Sequence, residues 1–235
     1  IKFENKIPSS KWKKALCDME EKLKLIYVYD PLCGWCYGFS PVIKQFYKKF
    51  RTKLVFEVIS GGMVVGDRIG PIGEVAAYIK DAYKVVEERT GVTFGKDFLK
   101  ALDDGSMVFN SIPPSRALTA FKVFRPHDAI LMAHELQKAI YYDGKAPGDA
   151  KMYIEFAEKF ELPIESFEEA LWSDNIATKT EQEFMTSGEL GVNGFPTVFI
   201  GNKDKLYPVS RGYMDYEDFL MNAMNASAYF GEELV

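Results

Sequence analysis

Apolar positions recur along the chain in two periods, and the order in which those periods alternate sets out a layered α/β protein. Trp12, Leu16, Met19 and Leu23 fall at helical spacing behind Ser9 and Ser10, which predicts an amphipathic helix within an N-terminal extension over residues 1–24. Residues 25–29 form a short β-branched and aromatic run stopped by Asp30 and Pro31, the pattern of a buried strand that ends in a turn. Val42, Ile43, Phe46, Tyr47 and Phe50 then share one helical face, with Lys44, Lys48 and Lys49 on the other. A second strand is predicted over residues 54–59, closed by Ser60, Gly61 and Gly62. The unit reads β-α-β, so its two strands are expected to run parallel.

Between residues 67 and 176 the period stays helical, from Val75, Ile79, Tyr83 and Val86 through to Phe167 and Leu171. Breaks at Gly91, Gly105, Pro113, Pro114, Pro126 and Pro163 divide this block into about five helices, with no strand. Strand patterns return at residues 197–200 and 206–209, joined by a hairpin over 201–205, and a last helix is predicted over 216–228. The expected organisation is an α/β domain over residues 25–66 and 177–235, interrupted by an all-helical insertion domain over 67–176.

The composition, 47% hydrophobic and 27% charged, is that of a chain with a sizeable globular core. Lys and Arg total 29 against 34 Asp and Glu, a net charge of −5, which argues against a nucleic-acid partner. The longest apolar runs fall far short of the ~20 residues that span a bilayer, so no membrane insertion is expected. The first residue is Ile1 rather than Met, compatible with a removed leader or initiator; a cytoplasmic setting is favoured over a periplasmic one.

Three cysteines, Cys17, Cys33 and Cys36, are too few for a disulfide framework, and the spacing of the last two matters more than the count. In Cys33-Gly34-Trp35-Cys36 the first cysteine stands just ahead of a predicted helix. There, unpaired N–H groups and the helix dipole favour a thiolate, the form that attacks disulfides. Cys33 is therefore the candidate nucleophile, and Cys36, one turn inside the helix, the candidate resolving thiol. A zinc site would need two further ligands, and Cys17, His127 and His134 offer no second pair at suitable spacing, so no metal is expected. Late in the chain, Gly194-Phe195-Pro196-Thr197 directly precedes a strand. A cis Pro196 facing the cysteines would leave the Phe195 backbone free to pair with an extended substrate.

Asp30-Pro31-Leu32-Cys33-Gly34-Trp35-Cys36-Tyr37-Gly38, together with the late Gly-Phe-Pro-Thr and the intervening helical block, resembles the DsbA-like branch of the thioredoxin superfamily. The likeness is nearest to the FrnE-like protein-disulfide isomerases, whose motifs Ser60-Gly61-Gly62-Met63 and Ile112-Pro113-Pro114-Ser115-Arg116-Ala117 also resemble; it covers roughly residues 25–225. The resemblance implies a thioredoxin-like fold, Cys33 and Cys36 as the redox pair, and Pro196 as the cis-proline beside them. Gly34, Trp35, Phe195, Pro196 and Thr197 become the candidate substrate-binding residues. No cofactor beyond the cysteine pair is implied, with glutathione possible as reductant or substrate. The partners would be a disulfide- or thiol-bearing protein or small thiol, and a recycling redox partner. Gly34-Trp35 is neither the Pro-His of the strong periplasmic oxidant nor the Gly-Pro of thioredoxin, which leaves the direction of exchange open.

Two other functions fit parts of the pattern. Glutathione-dependent transferases of the kappa class and hydroxychromene-carboxylate isomerases resemble the overall plan but usually carry serine where Cys33 stands. A chaperone-like module would use Trp35 and Phe195 as an apolar surface for peptides. Among the remaining residues, Cys17, His127 and His134 read as structural, Arg116 as a partner for helix C-terminal carbonyls, and Glu57 as a candidate buried acid behind the cysteines.

Overall fold

The computed structural model describes residues 22–234, so the predicted N-terminal helix and Cys17 lie outside the described residues. Strand β1 (Lys24–Tyr29) leads through a tight turn into helix α1 (Gly34–Phe50), which returns to strand β2 (Val55–Ser60). Next come strand β3 (Gly70–Pro71), helices α2 (Ala76–Thr90) and α3 (Lys96–Asp104), strand β4 (Val108–Phe109), and helices α4 (Ile112–Phe124) and α5 (Ala129–Tyr141). Helices α6 (Ala150–Lys159), α7 (Ile164–Trp172) and α8 (Asp174–Glu189) precede strands β5 (Thr197–Gly201) and β6 (Leu206–Arg211) and helix α9 (Tyr216–Tyr229).

The main sheet has the order β2-β1-β5-β6. β1 runs parallel to β2, pairing Lys24 with Val55 through to Tyr29 with Ser60, and antiparallel to β5. As a central strand, β1 is buried on both faces after Lys24, which explains why it reads as an unbroken apolar run rather than an alternation. Leu25, Tyr27 and Tyr29 belong to the large core, with Phe39, Phe46 and Phe50 of α1 and Phe219 of α9. Phe219 meets the Phe39 and Phe46 rings edge-on at 5.2 and 5.1 Å. Ile26, Val28, Ile59 and Phe199 form a smaller cluster on the other face, covered by Leu190, Val192 and Phe195.

The outer edge of β2 is closed by side chains. Lys122 of α4 donates to the Val58 carbonyl at 2.8 Å, and Glu183 of α8 accepts from the Ser60 N–H at 2.9 Å. The two side chains form an ion pair with each other, and Thr119 donates to the same carboxylate at 3.1 Å. An exposed ladder edge invites pairing with other chains, and here an ion pair takes the place of the next strand.

The helical block differs from expectation in three respects. Seven α-helices, α2 to α8, begin within it rather than five. It also holds a two-residue antiparallel ladder between β3 and β4, too short to leave a periodic signal. The expected boundary at residue 176 falls inside α8. One buried cluster joins β1, α1 and α9 to α4, α5, α6 and α7, so sheet and helices share a core.

Removing the Lys122 ammonium would leave the Glu183 carboxylate without its counter-ion and the Val58 carbonyl without this donor in a mostly buried site. Lys122→Ala should lower the unfolding free energy by about 1–3 kcal/mol in a denaturant titration, and a loss no larger than that of an exposed lysine would contradict the edge-capping role.

Candidate functional site

The site begins at the junction of β1 and α1. Asp30 ends the strand, its carbonyl accepts from the Cys33 N–H at 3.1 Å, and the turn delivers Cys33 in an extended conformation (φ −92°, ψ 112°) as the N-cap of α1. An N-cap side chain takes a hydrogen bond from one of the helix's free N–H groups; here the Cys36 N–H points at the Cys33 sulfur at 3.3 Å. From the other side the Cys33 thiol donates to the Phe195 carbonyl at 3.5 Å, and the Phe195–Pro196 peptide bond is cis. Both cysteines are free thiols. Both are buried, with 6% of Cys33 exposed and none of Cys36, yet they are not equivalent. Cys36 is wholly enclosed, and burial, reinforced by the neighbouring Cys33 sulfur, pushes its thiol well above the ordinary range.

Asp30 fixes this junction. Its fully buried carboxyl accepts from the Leu32 N–H at 2.9 Å, the Met63 N–H at 2.7 Å and the Ser111 hydroxyl at 2.8 Å. Ser111 in turn accepts from the Val64 N–H at 3.0 Å, and its own N–H donates to the Val64 carbonyl at 2.9 Å. One side chain thus ties the cysteine turn, the segment after β2 and the start of α4. Burial raises the Asp30 carboxyl to about 6, against the opposing pull of its three donors. The buried Gln137 amide of α5 rests against the backbone of the same first helical turn.

The Ser60-Gly61-Gly62-Met63 segment works by what it lacks. A Cβ at Gly61 would lie 2.1 Å from the Phe195 ring, so only glycine lets that ring seat there, and Gly62 holds a left-handed φ of 67° that glycine adopts freely. Beside it opens a cavity of about 280 Å³ with Cys33 in its wall, bounded by Trp35, Met63, Ile79, Tyr83, Phe94 and Phe109 among others. Among the described residues, no charged side chain lines it. Trp35 is half-buried at its rim, with the Tyr213 ring 6.2 Å away and the Arg89 guanidinium 5.9 Å above its own ring. Gly34 lines the same cavity, while Thr197 donates its hydroxyl to the Gly194 carbonyl at 2.8 Å and so braces the turn before β5.

Residues 24–221 match the family profile of the DSBA-like thioredoxin domain. The chain belongs to that family. The match is to the family as a whole and does not resolve the FrnE-like subgroup. Members of this family are in general oxidoreductases and isomerases that act on thiols or disulfides. Among solved structures, the chain is similar to the cytosolic disulfide reductase DsbM from Pseudomonas aeruginosa: 26% identity, TM-score 0.74, covering 89% of this chain and all of that one. The glutathione-bound structure of the same reductase also matches, at a TM-score of 0.67 over 88% of this chain and 97% of that one. A curated relative, the ClpXP adapter protein SpxH of Halalkalibacterium halodurans, is 22% identical over 188 residues, 78% of this chain. The matched stretch spans 61% of that adapter's length.

One sequence expectation resolves differently within this family fold, and that of Arg116 is met. Glu57 is not behind the cysteines: its side chain is 44% exposed and pairs with Lys24 at 3.5 Å, because that position of β2 faces outward. The buried acid at the site is Asp30, which sequence reasoning treated only as a strand stop. Arg116 donates to the carbonyls of Leu171 and Ser173, both at 3.2 Å, at the end of α7. His134 shares a 3.0 Å hydrogen bond with the Ser40 hydroxyl and is lowered to about 4, mainly by burial and then by the Lys44 ammonium. His127 is exposed in the turn before α5. No helix among the described residues is long and apolar enough to cross a membrane.

Since the folded-state Asp30 titrates above the ordinary 3.8, folding favours its protonated form. Its contribution to stability is full below about pH 4 and declines as pH rises to about 6, by on the order of 3 kcal/mol. Asp30→Asn removes this titration and turns an amide donor toward other donors. The wild type should be the more stable protein at pH 4, and its lead in unfolding free energy should shrink between pH 4 and 6. A lead that stays constant across that window would refute the assignment.

Proposed function

We propose that the protein is a thiol-disulfide oxidoreductase in which Cys33 exchanges with substrate, Cys36 resolves, and the cis Phe195–Pro196 peptide lines the approach. The observation that carries this reading is the seat of the Cys33 sulfur, between the Cys36 N–H and the Phe195 carbonyl and in the wall of an apolar cavity. In the reducing direction the Cys33 thiolate attacks a substrate disulfide, forms a mixed disulfide and expels one substrate thiolate. The Cys36 thiolate then attacks the Cys33 sulfur, releases the second substrate thiolate and leaves a Cys33–Cys36 disulfide, so that two electrons pass to the substrate. A thiol partner, glutathione among the candidates, returns the pair to the dithiol.

Gly34 and Trp35 form the substrate-facing side of the helix start; the Phe195 carbonyl meets the Cys33 sulfur from the other side, with Pro196 and Thr197 buried behind it as the backbone that would receive substrate. The uncharged cavity favours a substrate sulfur flanked by apolar groups, as in a polypeptide, whereas glutathione carries two carboxylates and an ammonium that the cavity does not pair. The likeness to DsbM, a cytosolic disulfide reductase also known with glutathione, supports the reducing direction and a cytosolic setting. Two thiols at the helix start favour exchange over the isomerase and transferase chemistry of glutathione-dependent relatives.

Incubation with a reducible disulfide protein and a thiol recycling system tests this. Cys33→Ser should abolish turnover, and Cys36→Ser should accumulate a mixed disulfide visible on a non-reducing gel. Turnover by Cys33→Ser equal to that of the wild type would end the proposal.

A further inference from the structure

The layer beneath the cysteines holds two hydroxyls that the exchange chemistry leaves unused. Tyr27 and Tyr29, on the face of β1 that packs against α1, are fully buried, and neither hydroxyl has a hydrogen-bond partner. Such a group destabilises the state in which it is left unpaired. The Tyr27 ring lies 5.9 Å from Phe39, which stands one turn after Cys36 on the buried face of α1. Tyr27 and Cys36 share one buried cluster, and after burial the Cys36 sulfur is the group that most opposes ionisation of Tyr27, whereas for Tyr29 it is Asp30. Burial pushes both phenols far above their ordinary range, so they keep their protons and can act as donors.

We propose that Tyr27 is a positioning residue for Cys36: its O–H donates a hydrogen bond to the Cys36 thiolate whenever that thiolate forms, and is unpartnered in the dithiol. The proposal rests on the exchange reading above. When an outside thiolate attacks the Cys33 sulfur of the Cys33–Cys36 disulfide, the bond between the two cysteines breaks and one to the incoming sulfur forms. The electron pair leaves on Cys36. No proton moves in that step, and the phenol proton remains on the Tyr27 oxygen. In the reverse direction the same Cys36 thiolate attacks the mixed disulfide at Cys33 and expels the substrate thiolate. Either way a negative sulfur appears in an enclosed, apolar layer, where an unpaired charge is costly. The titratable groups facing it are Cys33 on α1, Asp30 in the preceding turn, Tyr27 and Tyr29 on β1, and Tyr141 on α5. The Asp30 backbone favours charge on that sulfur, whereas the Asp30 carboxyl and Cys33 add negative charge when ionised. Of the two unpartnered hydroxyls in this layer, that of Tyr27 is the more strongly coupled to the Cys36 sulfur.

Tyr27→Phe, in the full chain, keeps the ring and removes the donor. With Cys33 replaced by Ser, thiolate absorbance should show the Cys36 titration moved to higher pH by about one unit or more when Tyr27 becomes Phe. Resolution of a preformed mixed disulfide should slow by about ten-fold or more. The initial attack by Cys33, measured in a Cys36→Ser background, should change by less than about two-fold, since no Cys36 thiolate takes part. The thermal midpoint of the dithiol form should rise, because the unpaired hydroxyl is gone. A packing role would instead lower the midpoint and slow both steps together, and that result overturns the proposal. So do an unmoved Cys36 titration and an unchanged resolution rate in a protein whose wild type exchanges through Cys33. A wild type with no Cys33-dependent exchange overturns the oxidoreductase reading itself, while the Cys36 titration still reports on the Tyr27 contact.

Discussion

The geometry of the site depends on one buried carboxyl. Asp30 is enclosed at the end of the central strand, yet it collects hydrogen bonds from three segments far apart in sequence. Enclosure disfavours its charge and the three donors favour it; burial wins in part, since the carboxyl rises to about 6 rather than remaining near 3.8. A group in this balance is a cross-link that needs no covalent bond. Loss of any one donor would weaken the hold on the cysteine turn, the segment after β2 or the entry to α4. The first two segments also border the apolar cavity, so the same carboxyl that sets the helix start sets the space in front of it.

The two sulfurs differ for reasons of position alone. Cys33 is the cap of α1, outside its first turn, where its side chain is available both to the helix N–H groups and to the cavity. Cys36 is one turn further on, on the stripe that runs through Phe39, Ile43, Phe46 and Phe50 into the core. A helix of this period must send its third interior residue inward if the later apolar positions are to meet the sheet. The asymmetry between a buried sulfur in the cavity wall and a fully sealed one therefore follows from the amphipathic pattern that builds the core.

That pattern was legible in the sequence to within a residue or two at every strand of the main sheet. β1 and β5 are buried on both faces and so stand out as continuous apolar runs between turn residues. The cysteine pair and Pro196 were legible as chemistry because few other roles suit those residues at that spacing. What escapes is whatever is short or poor in apolar residues. α3 is amphipathic but spans only nine residues and buries Phe98 and Leu102, while two of the three residues α8 buries, Thr180 and Ser187, are polar. Asp30 escaped because Asp-Pro after a strand already has a sufficient local explanation, which hid its tertiary one. Glu57 was misjudged for the opposite reason: an acid within an apolar run invites a buried role, and only the register with β1 shows that it points outward beside Lys24.

The motifs that lie far apart in the sequence meet through a missing atom. The Phe195 carbonyl reaches the Cys33 thiol only if the Phe195 side chain has somewhere to go, and that place is the surface of Gly61. A methyl group there would overlap the ring, and neither the backbone after β2, held by Asp30 through Met63, nor the strand that starts at Thr197 has freedom to retreat. The displaced part would be the Phe195 backbone, and with it the carbonyl beside the sulfur. Gly61 therefore belongs to the site without touching any reacting atom: its bare backbone sets the distance between the helix start and that carbonyl.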